Sequence, residues 1–373
     1  MYILKQYNTP IAKFELSRNI DGKCVVLSYE IFNHKLLPLD MEPDAEGIAS
    51  WLRHRNIPSN REYVDNILFQ FGLNHRDTIG ILNICKGLSL NDSYWVVDED
   101  FDGDFYKYNL YTHRISRILS FVAFTGFSSK AIRSSLISSP EFTTNGMLPK
   151  CWRRINGDLY LYKAGTEGFA NSGKEPFSEF YAYQIAKTMG LDAVEYSLAN
   201  WKGHMCSTCK LFTDIDTSFI PVGRIVREGG ITAVLEYYKK LGEDYYDKLI
   251  SMFVFDAIIC NTDRHYGNFG FLIDNASNEI VSTAPIFDNG LSLFNYGMDD
   301  EIQDPVAYSK TRLPAIYDDY VGFVKPLLKE VHKKQIRKLI NFKFKKHPRY
   351  NLDDYRLKKL EEFIQIRIRE LLD

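Results

Sequence analysis

Asn261-Thr262-Asp263-Arg264-His265-Tyr266-Gly267-Asn268, followed at a short distance by Ile286-Phe287-Asp288-Asn289-Gly290, concentrates acids and amides where a hydrophobic core would reject them. An apolar helix pattern over 244–260 delivers Asp263 to a loop, and Asn268 comes five residues later, just before a strand pattern at 269–273. The turn-rich stretch Asp274-Asn275-Ala276-Ser277-Asn278 returns the chain through 279–281, so Asp288 emerges beside the same loop. Three oxygen-bearing side chains converge by this route. Mg²⁺ takes carboxylate and amide oxygens and completes its shell with water and phosphate, which makes Asn268 and Asp288 a sensible metal pair. Asp263 is then free to handle a hydroxyl proton. Capping and turning the chain would need neither this spacing nor the third acid.

The rest of the chain sets the frame for that loop. Its 373 residues are 45% apolar and 25% charged, the profile of a folded chain of two or three domains. Forty-six Lys and Arg against 48 Asp and Glu leave a formal charge of −2, so there is no global basic field and no direct nucleic-acid binding is expected. Apolar stretches such as 118–127 break well short of the roughly 20 residues of a membrane span, and no membrane association or secretory leader is expected. Six scattered cysteines form no disulfide framework and fit a reducing cytoplasm.

Three regions are predicted: an accessory module over 1–115, a β-rich part over 116–226, and a mainly helical part over 227–373. In the first, 11–16 and 24–31 read as a hairpin around Asp21-Gly22, two helices lie within 44–71 with a break at Ile57-Pro58, and a third covers 77–85. In the second, Asn156-Gly157 turns the chain into the strand 159–163, a helix starts at Pro176 and stops at Gly190, and strands follow at 193–200 and 209–213. In the third, helices are predicted over 232–241, 244–260, 321–342 and 352–372, interrupted by the hairpin at 269–281.

The order Asp-Arg-His-x-x-Asn resembles atypical kinases of the phosphatidylinositol 3/4-kinase kind. With Asn-Thr-Asp-Arg-His-Tyr-Gly-Asn-Phe-Gly-Phe and Pro-Ile-Phe-Asp-Asn-Gly-Leu-Ser-Leu together, the chain looks most like the HipA-like serine/threonine kinases. The resemblance runs from about Ser139 onward and more loosely through the accessory module. It implies an α+β, two-lobed protein-kinase-like fold with a β-rich N-lobe, a mainly helical C-lobe and ATP between them, using Mg²⁺ to phosphorylate a Ser or Thr of a protein. In that pattern Asp263 is the catalytic base and Asn268 and Asp288 hold the metal; His265 is read from its chemistry as bracing the catalytic loop by hydrogen bonding, with direct proton transfer as the alternative. The strand lysine that meets the phosphates falls on Lys163, oriented by Glu179, with Glu175 as the alternative partner. Kinases of this family often act as toxins paired with a small DNA-binding antitoxin, which makes such a partner an expectation here.

The chain has no Gly-x-Gly, so the usual phosphate-covering loop is missing. The replacement is 138–150, where Thr143, Thr144, Asn145 and Gly146 can form an anion-binding nest ahead of the lysine strand. Loops at this place in the family can themselves be phosphorylated, which makes Thr143 and Thr144 candidate autophosphorylation sites. A second glycine-containing stretch, Gly168-Phe169-Ala170-Asn171-Ser172-Gly173-Lys174-Glu175, reads as a P-loop but for its last residue. Glu175 there would set a carboxylate against phosphate, and Pro176 removes an N–H donor, so a plain connection is expected. Cys206-Ser207-Thr208-Cys209 lacks a second ligand pair for zinc and is read as free thiols. The cationic run over 325–346 is read as a solvated helix face. Two other functions fit the same residues: a nucleotide-binding regulator without transfer activity, and a kinase for a lipid or small-molecule hydroxyl.

Overall fold

The computed structural model describes residues 1–127 and 139–373, and the chain is α+β. Two compact units emerge. The first comprises Met1–Lys163, Leu211–Ile220 and Leu272–Val281, and the second Ala164–Lys210, Pro221–Phe271 and Ser282–Asp373.

The first unit is built on an antiparallel four-stranded sheet in the order Cys24–Ile31, Thr9–Arg18, Tyr2–Gln6, Tyr94–Asp98. Alternation along the last strand explains why both of its faces are covered. Tyr94 and Val96 face a core of Leu4, Phe14, Ile48, Trp51 and Leu52, supplied largely by the helix Ala45–Arg53. Trp95 and Val97 face a second core with Leu88, Phe105, Leu110, Trp152 and Leu159. The expected hairpin pairs Lys150–Ile155 with Asp158–Ala164, and Asn156 and Gly157 are both left-handed, at φ 52° and 94°. Those are the dihedrals that a two-residue turn of this hand demands, and Asn-Gly meets them at little cost. Distant segments complete the unit: the Gln6 amide donates to Asn275 O at 3.0 Å, Tyr7 Oη to Ile215 O at 2.8 Å, and Thr213 Oγ1 to Leu90 O.

In the second unit the helix Glu175–Met189 carries Pro176 in its first turn and ends on left-handed Gly190, whose N–H caps Ala186 and Lys187. The hairpin Tyr196–Trp201 and His204–Lys210 follows. Its second strand begins five residues before the expected 209, because the turn lies at left-handed Lys202-Gly203, a signal weaker than Asn-Gly. Cys206 and Cys209 are buried on this strand and form no disulfide; three apart, they fall on opposite faces of it. The helix Glu243–Ile259 is buried without interruption from Leu249 onward. The helix expected over 321–342 is instead Tyr320–Val324, a tight turn Lys325–Leu327 and Glu330–Arg337. Lys325 stays helical and Pro326 supplies no N–H to the turn that follows, and the chain then leaves the helix at Leu328 and Lys329, both extended, so the periodicity carries across a physical break. The chain ends in the helix Asp354–Leu372. No helix of the described residues is long and apolar enough to cross a membrane.

One buried histidine in this unit makes stability depend on pH. His332 is fully buried; its Nδ1 accepts from Lys329 N–H at 3.0 Å and its Nε2 donates to Asp247 O at 3.1 Å, so the ring is held neutral. Burial lowers its pKa below the ordinary 6.5, against a raising pull from Asp247. The unfolded chain therefore takes up the proton first, and the stabilisation is complete above about pH 6.5 and is lost as pH falls through the folded value. Urea midpoints between pH 7.5 and 5 should fall more steeply for the wild type than for His332→Gln. Parallel curves would refute the assignment.

Candidate active site

The expected loop is positioned by the end of the helix Glu243–Ile259. Cys260 closes that helix in a left-handed conformation, and Asn261 N–H returns to Asp256 O. Burial pushes the Cys260 thiol up to about 12, which leaves it inert. Tyr320 Oη donates to Asn261 O at 2.5 Å, fixing the exit of the chain. Asp263 is held by its own backbone: its N–H donates to Asn261 Oδ1 at 3.0 Å, and its carbonyl accepts from His265 N–H at 2.8 Å and from Asn268 Nδ2 at 3.0 Å. The last bond engages the nitrogen of the Asn268 amide and leaves the side-chain oxygen for a ligand. His265 Nδ1 accepts from Gly267 N–H at 3.0 Å, a brace within the loop.

A single buried arginine ties this loop to the second one. Arg264 donates Nε and Nη2 to the two carboxylate oxygens of Asp256, at 2.9 and 3.0 Å, the bidentate geometry that makes such pairs strong. Its Nη1 donates both to Asn268 O at 3.0 Å and to Phe287 O at 2.6 Å, and Nη2 also reaches Asn289 Oδ1 at 2.6 Å. Burial opposes the guanidinium charge, but Asp256 overcomes it and the pKa is raised. One nitrogen thus sets the residue that carries the amide beside the residue that precedes Asp288.

Asp288 itself is left-handed at φ 56°, a conformation that costs a residue with a Cβ and persists only when its surroundings enforce it. Here they do. Asp288 N–H donates to Tyr196 Oη at 3.1 Å, and Asn289 N–H donates to Glu179 Oε2 at 2.7 Å. Burial, followed by the charge of Glu179, drives the Tyr196 phenol well above its ordinary pKa, so it stays neutral. Thr262 N–H to Leu291 O and Leu293 N–H to Ile259 O then bind the segment after Asp288 back onto the 259–268 stretch.

Glu179, Asp263, His265, Asn268 and Asp288 therefore gather in the second unit. Lys163, Thr143, Thr144, Asn145 and Gly146 belong to the first. Lys163 is half-buried in its strand and pairs in register with Lys150. Ser138, the first residue of the expected phosphate loop, lies outside the described residues. In the remainder, Thr143 Oγ1 donates to Leu88 O at 2.9 Å, Thr144 Oγ1 donates to Pro140 O at 2.6 Å and accepts from Trp152 Nε1 at 2.9 Å. The Lys150 ammonium donates to Asn145 O at 2.9 Å and sits over Gly146, where a Cβ would approach it to 2.2 Å at φ 93°. The left-handed backbone there favours glycine, and a Cβ would have to displace the end of the Lys150 side chain.

The decoy loop is not a phosphate cradle. Lys174 Nζ folds onto Asn171 O at 3.0 Å, and burial lowers its pKa. Glu175 is buried, with Oε1 accepting from Thr166 Oγ1 and, at 3.0 Å, from Tyr296 Oη, so a carboxylate occupies the space that an anion would need.

Sequence reasoning missed Asp256, Asn289 and Tyr196. Asp256 had a readable signal: it is the one acid in the otherwise uncharged run 249–259, and such a residue must be paired to be buried.

Comparison with known proteins places this geometry in context. No protein-family model matches the chain. Among curated proteins, the serine/threonine-protein kinase CtkA of Helicobacter pylori strain J99 is 29% identical over 202 residues, 48% of this chain. The match spans 60% of the length of that relative. Among solved structures, Helicobacter pylori proinflammatory kinase CtkA superposes with a TM-score of 0.50 at 21% identity, covering 61% of this chain and 90% of the other. HipA of the Shewanella oneidensis MR-1 toxin–antitoxin system, solved with HipB and its operator DNA, gives 0.55 at 11% identity, covering 100% and 97%.

Proposed function

We propose that this chain, a relative of the HipA-like kinases in fold and in sequence, transfers the γ-phosphoryl group of ATP to a Ser or Thr hydroxyl of a protein, with Mg²⁺. The observation that supports the reading is the Arg264 bridge, which ties the backbone of Asn268 to that of Phe287, the residue before Asp288, in a loop where Asn268 also holds the Asp263 carbonyl. One amide oxygen and one carboxylate suit Mg²⁺, which leaves other positions to phosphate and water. When bound, Mg²⁺ would neutralise charge on the phosphates. The chain would do the rest by positioning. Asp263 accepts the proton of the attacking hydroxyl, whose oxygen forms the new bond to phosphorus as the bond to ADP breaks. Lys163 meets the phosphates and Glu179 supports it, roles that rest on the family resemblance. The segment 139–150 covers the nucleotide. The relationship to HipA, which was solved with HipB and its operator DNA, makes a small DNA-binding antitoxin the partner to test first.

Thermal denaturation with saturating MgATP tests the site, since a ligand that binds only the folded state raises its melting temperature. The wild type and Lys174→Ala should shift upward, and Asp288→Asn should not. A shift lost in Lys174→Ala but kept in Asp288→Asn would move the nucleotide to the decoy loop and overturn the proposal.

A further inference from the structure

Residues 1–115, expected as an accessory module and folded here into the first unit, contain an arginine that no catalytic role requires. Arg61 has no exposed side-chain surface, and neither does Glu141, its partner 80 residues away. Its Nη2 donates to Glu141 Oε2 at 2.7 Å and to Lys150 O at 2.9 Å, while Nη1 donates to Glu141 O at 2.7 Å and Thr144 O at 3.3 Å. The next residue, Glu62, donates its N–H to Met147 O at 2.7 Å. Two adjacent residues thus grip positions 141, 144, 147 and 150, one every third residue through the segment that includes Asn145 and Gly146. Glu141 completes the clamp, accepting from Trp152 N–H at 2.9 Å at the start of the following strand. Burial raises the pKa of this carboxyl, against the lowering pull of Arg61.

A core of this size gains little from a fully buried ion pair, because desolvation cancels much of the attraction. The placement of the donors explains the pair better: a guanidinium fork can fix several carbonyls at once, as no apolar residue can. We infer that Arg61 and Glu141 form a latch through which the accessory module sets the phosphate loop, so that nucleotide affinity depends on this module. The inference rests on reading 139–150 as the phosphate-covering segment. Arg61 is a positioning residue. If releasing it leaves one molecule in ten with the loop in place, the apparent Kd for MgATP rises ten-fold.

The test compares melting temperature without nucleotide and Kd for MgATP by calorimetry in the full chain. The variants are Arg61→Lys, which keeps the charge but not the fork, and Arg61→Met combined with Glu141→Gln, which removes both charges and keeps an acceptor for Trp152 N–H. The latch predicts that either variant, folded with a near wild-type melting temperature, binds MgATP at least ten-fold more weakly. A purely structural pair predicts wild-type Kd wherever stability is kept, and a Kd within two-fold of wild type in a folded variant overturns the latch. If Asp288→Asn still loses binding in that case, the kinase reading survives alone. If the wild type does not bind MgATP at all, both fall.

Discussion

An Asp263→Asn variant is expected to bind MgATP with the wild-type thermal shift and to transfer phosphate on the order of 10²–10⁴-fold more slowly, the usual cost of losing a general base. Asparagine is nearly isosteric, and the Asp263 backbone groups make the contacts that hold the loop, to Asn261, His265 and Asn268. The substitution therefore removes the proposed proton acceptor and leaves these backbone contacts in place. Autoradiography with labelled ATP and the protein itself or a generic acceptor protein reads the rate, and the melting temperature reads the fold. Transfer within ten-fold of wild type would remove Asp263 from the role of base and leave positioning to carry the reaction.

The second large effect is on folding. Replacing Arg264 by Met leaves Asp256, which has no exposed surface, with Asn261 as its remaining side-chain partner in this cluster. Breaking a buried pair from one side costs about 3–5 kcal/mol. That is a large fraction of the roughly 5–15 kcal/mol that holds a domain together. Urea unfolding should show the midpoint falling accordingly. Adding Asp256→Leu should restore much of the lost stability, since an apolar pair of similar volume fits a buried site. It should not restore phosphate transfer, because Asn268 O, Phe287 O and Asn289 Oδ1 would still lack their common donor. If the double variant regained activity together with stability, the bridging role of Arg264 would be refuted.

The loop that carries these two residues was the part of the candidate site that stood out in the sequence. Asp263, Asn268 and Asp288 stand at spacings that few other uses of the chain would require, and the hairpin between them was visible in its turn residues. Individual elements were legible from similarly local signals, such as Asn156-Gly157 and the stop at Gly190, whereas the α+β two-lobed class came with the family resemblance. What stayed hidden was nonlocal. Nothing near Arg61 announces Glu141, and Tyr196 looks like any strand tyrosine until Asp288 N–H arrives on its hydroxyl. The stretch 321–342 differs for another reason: its apolar spacing persists through Pro326 and Leu328, where the backbone does not stay helical.

The first unit also has a history built into it. Its pieces are Met1–Lys163, Leu211–Ile220 and Leu272–Val281, so the last contributor leaves the ribosome long after the first. At about 5–20 residues per second, the interval is on the order of ten seconds. Until then Gln6 and Tyr7 wait for Asn275 and Ile215, and Leu90 for Thr213. A nascent chain stalled before residue 272 holds Asp263 and Asn268 but not Asp288, and its first unit is still open. Completion of the first unit and the arrival of Asp288 thus fall close together, late in synthesis, and a product terminated before them lacks both.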